Sequence, residues 1–152
     1  VALTIDAAGI GADDKVLEIG AGSGYAAGVI GQIAREVVAI ERDHELVILA
    51  RERMRHFGYP NIRILEGDGT LGCAAEAPFV AIVAAASGSH VPAVLVDQVK
   101  PGGRIVMPIG DPHSVQSLVK LTKRRDGTLE REDLGAVRFV PLIGEHGFRD
   151  TA

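Results

Sequence analysis

Short apolar runs alternate with helical apolar stripes along most of this chain. Val16, Leu17 and Ile19 form a run that suits a strand buried on both faces. From Tyr25 to Ala34 the apolar Ala26, Val29, Ile30 and Ile33 recur on one helical face. Val37-Val-Ala-Ile40 predicts a second buried strand, ending in Glu41. Asp43 to Phe57 reads as a helix with Leu46, Leu49, Ala50 and Met54 inward and its arginines outward. Asp43 is placed as its N-cap, and Gly58-Tyr-Pro-Asn61 stops it. Ile62 and Ile64 alternate with Arg63 as a third strand that closes on Glu66-Gly-Asp-Gly69. Phe79 to Ala86 is a fourth, wholly apolar strand. Val91 to Val99 follows as a helix, broken by Lys100-Pro-Gly-Gly103 before a strand from Arg104 to Ile109. Ahead of all these, Val1 to Ile10 has near-helical spacing and leads through Gly11-Ala-Asp-Asp14 into the first strand.

Strand and helix in alternation predict an α/β fold, a mostly parallel sheet with helices on both faces. After Gly110 the pattern changes. Ser117 to Lys123, Arg124-Arg-Asp-Gly127 and Thr128 to Val140 predict an antiparallel hairpin at the sheet edge. The basic Lys123-Arg124-Arg125 is read as its solvated tip. At 152 residues, 47% of them hydrophobic, the chain makes one domain with room for a real core. No apolar run approaches a membrane span, and no signal peptide is visible. The single Cys73 excludes an internal disulfide and points to the cytoplasm, where it serves as a small apolar residue. A net charge of −4 argues against broad nucleic-acid binding, which rests on phosphate neutralisation. The five histidines lack metal-ligand spacing.

Candidate chemistry concentrates in Val16-Leu-Glu-Ile-Gly-Ala-Gly-Ser-Gly-Tyr25, a strand that breaks into a glycine turn and opens a helix. Such a turn lets a ligand approach main-chain N–H groups at a helix start, which favour an anionic group. A dinucleotide fingerprint from Gly20 requires a small residue where Tyr25 stands, and the Gly-Lys-Ser/Thr of a P-loop is absent. What stands here is acid-x-Gly-x-Gly-x-Gly, beginning at Glu18. Glu41 ends the second strand about twenty residues past the glycines, where an acid hydrogen-bonds ribose hydroxyls. Asp68 ends the third strand between Gly67 and Gly69, where it can accept from an adenine amino group.

The glycine motif resembles motif I of class I S-adenosylmethionine (SAM) methyltransferases. With Ile40-Glu-Arg42, Gly67-Asp-Gly69, Leu95 to Gly103 and Val137-Arg-Phe-Val-Pro-Leu142, the chain resembles the protein-L-isoaspartate O-methyltransferases from Val1 to about Phe148. The resemblance implies a Rossmann-like three-layer sandwich with SAM as cofactor. It places Gly20, Gly22, Ser23 and Gly24 at the methionine end, with Glu18 supporting the turn. Glu41 takes the ribose hydroxyls, Arg42 flanks the adenine, and Asp68 with Gly69 reads the adenine edge. It further implies methylation of the free carboxylate of isoaspartyl residues in damaged proteins by a monomer without nucleic-acid or membrane partners. The family's active-site serine loop is expected ahead of Val1, so no catalytic residue is assigned within the chain and the N-terminus is expected to be truncated. Ser87-Gly88 replaces a typical Ala-Pro, and Val80 stands where relatives usually carry Asp. Three other readings stay open: a small-molecule methyltransferase, an RNA methyltransferase, and a SAM-binding remnant without activity.

Overall fold

The computed structural model describes residues 1–151. Helix α1 (Ala2–Ala8) leads to β1 (Lys15–Ile19), α2 (Tyr25–Gly31), β2 (Glu36–Glu41), α3 (His44–Phe57) and β3 (Ile62–Glu66). Two 3₁₀ turns, Gly69–Leu71 and Ala74–Glu76, precede β4 (Phe79–Ala84), α4 (Ala93–Gln98) and β5 (Val99–Ile109). Strands β6 (Gln116–Lys123) and β7 (Leu129–Val137) end the sheet, whose order is β3-β2-β1-β4-β5-β6-β7. Pairing is parallel from β3 to β5 and antiparallel from β5 to β7.

Burial explains these assignments. Strands β1, β2 and β4 are buried over almost their whole length, as continuous apolar runs demand when both faces are covered. One face packs Val16, Val37 and Ala81 against Ala8, Ile30, Val47 and Met54 of α1, α2 and α3. The opposite face packs Leu17, Ile82 and Ile105 against Leu95 of α4 and Leu142. Asp43 caps α3 as its position predicted, accepting from the Leu46 N–H at 3.1 Å. No helix among the described residues is long and apolar enough to cross a membrane.

Several expectations differ from the structure: α2 ends at Gly31 and not at Ala34, and β4 at Ala84 and not at Ala86. The helix read to Val99 ends at Gln98, and β5 already begins at Val99, running through Lys100-Pro-Gly-Gly103. A register shift between Phe79 and Ala81 on β4 absorbs the proline and glycines that otherwise break a strand. Lys123 is not part of a solvated tip. Its Nζ donates to the carbonyls of Val96 and Val99 at 3.0 Å each, closing the end of α4. Strand β7 stops at Val137, where the chain leaves the sheet and pairs with Ser87, past the carboxyl end of β4.

Candidate functional site

Strand order reverses between β1 and β4, and a ligand of an open parallel sheet settles outside the carboxyl ends at that point. A cleft of about 510 Å³ lies there. Gly20, Gly22, Glu41, Arg42, Gly69, Ala85-Ala86 and Val140 to Ile143 line it. A larger groove between α3 and β3, lined by Arg51, Arg55, Tyr59 and Arg63 among others, shares no residue with the glycine turn.

The glycine turn is tied to β2. Gly20 and Ala21 donate N–H groups to the Ile40 carbonyl at 2.9 and 3.1 Å. The Gly22 N–H donates to Glu41 Oε2 at 2.8 Å, and Oε1 of the same carboxylate accepts from the Asp43 N–H at 3.0 Å. Glu41 thus joins the turn to the start of α3 and is 8% exposed. Each of its oxygens keeps acceptor capacity for a hydroxyl. Gly22 sits at φ +54°, and a Cβ built there meets nothing within 4 Å, so the space above it opens into the cleft.

The other predicted residues are distributed around this centre. Gly24 (φ +88°) is required for packing, because a Cβ there would lie 3.0 Å from Met54 Cε and 3.4 Å from Ala50 Cβ. Ser23 accepts from Arg53 Nη1 through its carbonyl at 3.4 Å and lines an adjacent groove with Gly24, Tyr25 and Phe57. Arg42 reaches outward to an ion pair with Asp150 at 3.0 Å. Glu18 is 2% exposed and borders a cavity of about 40 Å³ shared with Thr4, Ile5 and Phe139. Its Oε2 has no hydrogen-bond partner among the described residues. Burial, and then the charge of Glu41, push its carboxyl up to about 8, so Glu18 is neutral at pH 7.

Asp68 is more engaged than its position alone suggests. Oδ1 accepts from the Thr70 N–H at 2.9 Å and the Thr70 hydroxyl at 2.6 Å, capping the first 3₁₀ turn. Oδ2 accepts from the Glu145 N–H at 2.8 Å. Burial raises its pKa, but the hydrogen bonds from Thr70 and Glu145 outweigh that and hold it below the ordinary value.

The cleft's outer wall is the feature that sequence reasoning missed. Residues 139–148 form a strap held at both ends. At its root the buried Gln116 amide accepts from the Phe139 N–H at 2.8 Å and donates to the Asp111 carbonyl at 3.0 Å. The Ser87 N–H donates to Val140 O and its carbonyl accepts from the Leu142 N–H, both at 2.8 Å. At the far end the strap closes on Asp68 and Thr70. The sequence signal was present in Arg138-Phe-Val-Pro-Leu142, where Pro141 cannot donate within a central strand.

Comparison with known proteins agrees with this geometry. The family model described as protein-L-isoaspartate (D-aspartate) O-methyltransferase (PCMT) matches residues 1–147. The protein-L-isoaspartate O-methyltransferase of Rhodopseudomonas palustris is 47% identical over 149 residues, covering 98% of this chain and 68% of the relative. That of Desulfosudis oleivorans is 49% identical over 139 residues, covering 91% of this chain and 62% of the relative. A solved protein-L-isoaspartate O-methyltransferase superposes with a TM-score of 0.86 at 27% identity, over 95% of this chain and 46% of that one. A Plasmodium falciparum structure of the PCMT type, in complex with S-adenosyl-L-homocysteine, superposes with a TM-score of 0.76 at 23% identity. It covers 93% of this chain and 70% of its own length, and supports the fold. The fold is that of the class I SAM methyltransferases, a mostly parallel seven-stranded sheet with an antiparallel hairpin at its end. The chain belongs to the protein-L-isoaspartate (D-aspartate) O-methyltransferase family.

Proposed function

We propose that the cleft binds S-adenosyl-L-methionine and that the protein methylates the free carboxylate of isoaspartyl residues in damaged proteins. The observation that carries this reading is the Glu41 carboxylate, bonded to the Gly22 N–H beside an open backbone cradle at the switch point. The donor set fits the cofactor. Gly20 and Gly22 offer a backbone without side chains to the methionine end, and Ser23, Gly24 and Glu18 hold the turn in shape. Glu41 takes the ribose hydroxyls, and Arg42 flanks the adenine. Gly69 lines the cleft where the adenine edge is read. Asp68 Oδ2 keeps one lone pair beside its single bond to Glu145, enough to accept an amino group.

When bound, the cofactor supplies an electrophilic methyl group. The acceptor carboxylate, with an unperturbed pKa of ~4, is ionised at neutral pH and needs no general base. The protein's task is then alignment and exclusion of water, which can supply about 7 kcal/mol or more of barrier reduction. The strap and the apolar Ala85-Ala86 stretch serve that purpose, walling the cleft. The charged residues along β7, Glu130 to Asp133, guard that sheet edge against pairing and favour a monomer. The lone free Cys73 suits a reducing cytoplasm.

The test is methyl transfer from labelled SAM to an isoaspartyl peptide and to its normal aspartyl counterpart. The two peptides differ only in which carboxylate is free, so discrimination arises from placement alone. Methylation of the isoaspartyl peptide with the aspartyl peptide left unmodified is expected. Equal modification of both, or of neither while an RNA or a small phenol is methylated, contradicts the reading.

A further inference from the structure

Thr70 lies outside every predicted site, yet its hydroxyl joins Asp68, the neighbour of the cleft-lining Gly69, to the strap. Thr70 is completely buried. Its Oγ1 donates to Asp68 Oδ1 at 2.6 Å and accepts from the strap's His146 N–H at 3.1 Å. Its own N–H donates to the same Oδ1 at 2.9 Å. One oxygen of Asp68 therefore takes both of its bonds from Thr70, which fixes the rotation of the carboxylate. The other oxygen holds the strap through Glu145 and retains one lone pair.

The fit leaves no slack. A Cβ on Gly144 would collide with Asp68 Oδ1, and one on Gly147 would lie 2.9 Å from Thr70 Cγ2. The strap can close this tightly only because both positions are glycine. Directly before Thr70, Gly69 lines the cleft, and a Cβ there would lie 2.5 Å from Ile19 Cγ2, which holds this backbone against β1. Thr70 thus sits where a side chain can set the angle at which Asp68 meets a ligand without touching that ligand.

We propose that Thr70 is a positioning residue that sets the base preference of the cofactor site, holding the Asp68 carboxylate and the strap in one arrangement. The proposal rests on the reading of Asp68 as acceptor for the adenine amino group. Loss of the hydroxyl removes one of the three bonds that fix the carboxylate and leaves the His146 N–H without its acceptor, so adenine reading and strap closure weaken together. Serine keeps the hydroxyl, and valine keeps the shape alone.

The experiment is calorimetric titration of the parent chain, Thr70→Val, Thr70→Ser and Asp68→Asn with S-adenosyl-L-homocysteine and with its inosyl counterpart, in which oxygen replaces the amino group. Hydrogen exchange at the Glu145 and His146 amides accompanies it. The parent is expected to prefer the adenosyl ligand by ~10-fold or more. Thr70→Val is expected to lose most of that preference and to speed exchange at both amides, while Thr70→Ser keeps the preference within about threefold. A purely structural role would lower thermal stability and leave the preference of the folded protein intact. If Asp68→Asn abolishes the preference but Thr70→Val retains it, the role of Thr70 is overturned and the adenine reading survives. A parent without preference overturns the reading of Asp68, and with it the proposal.

Discussion

Replacing Gly22 with valine is expected to remove measurable binding of S-adenosyl-L-homocysteine while leaving a cooperatively folded protein. Gly22 has φ +54°, and a Cβ there meets no protein atom within 4 Å, so the new side chain strikes nothing in the fold. The cost to stability is the left-handed backbone alone, ~1–2 kcal/mol and somewhat more for a β-branched residue. The cost to the ligand is far larger. On the proposed reading, the valine methyl groups fill the open space above the turn that the cofactor would occupy. A loss beyond ~1,000-fold in affinity, more than about 4 kcal/mol, is the expected result. Gly24→Val provides the contrast, because there the side chain meets Met54 and Ala50 and should destabilise the fold first. If Gly22→Val titrates like the parent, the turn is a structural element and the cofactor lies elsewhere.

The second large effect concerns stability. The Glu18 carboxyl, buried in the core and repelled by the charge of Glu41, is raised from 4.5 to about 8 in the folded protein. Below pH ~4.5 both folded and unfolded chains hold the proton, and the contribution of Glu18 is fully present. Between pH ~4.5 and ~8 only the folded chain holds it, so stability falls as pH rises. At about 1.4 kcal/mol per unit the loss is on the order of 3–5 kcal/mol. Glu18→Gln has no proton to lose, so its stability should decline far less over that range. Urea unfolding of both proteins at pH 5, 6, 7 and 8 measures the difference, and parallel profiles would show that Glu18 is not held neutral.

The sheet was legible because its strands lie between two layers. Val37 to Ile40 and Phe79 to Ala84 are apolar without alternation, and Val16 to Ile19 is interrupted only by Glu18, the pattern of buried parallel strands. Glu41 was legible for a related reason, since the end of the second strand beside a glycine turn is one fixed place in the fold. Asp68 was legible only in part. Its place at the end of β3 is local, but its bond to Glu145 spans 77 residues and no spacing rule reports it. The strap, the Gln116 clamp and the Thr70 junction share that character. Each depends on where the chain goes after the last hairpin, and the hairpin signal in Thr128 to Val140 hid the point where pairing stops. Lys123 was misplaced for the same cause, its basic neighbours resembling a hairpin tip while its own partners lie on α4.

The central claim is that Glu41, bonded to the Gly22 N–H, forms the ribose-binding corner of a SAM site. Its most direct test is calorimetric titration of the parent chain and Glu41→Ala with S-adenosyl-L-homocysteine, with NAD as the comparison ligand. The parent should bind one equivalent of the homocysteine ligand and bind NAD weakly or not at all. Glu41→Ala should weaken binding by about 2–3 kcal/mol, ~30- to 150-fold, because it strands the ribose hydroxyls and releases the Gly22 N–H. Parent-like affinity in Glu41→Ala, or equal binding of NAD by the parent, would contradict the assignment.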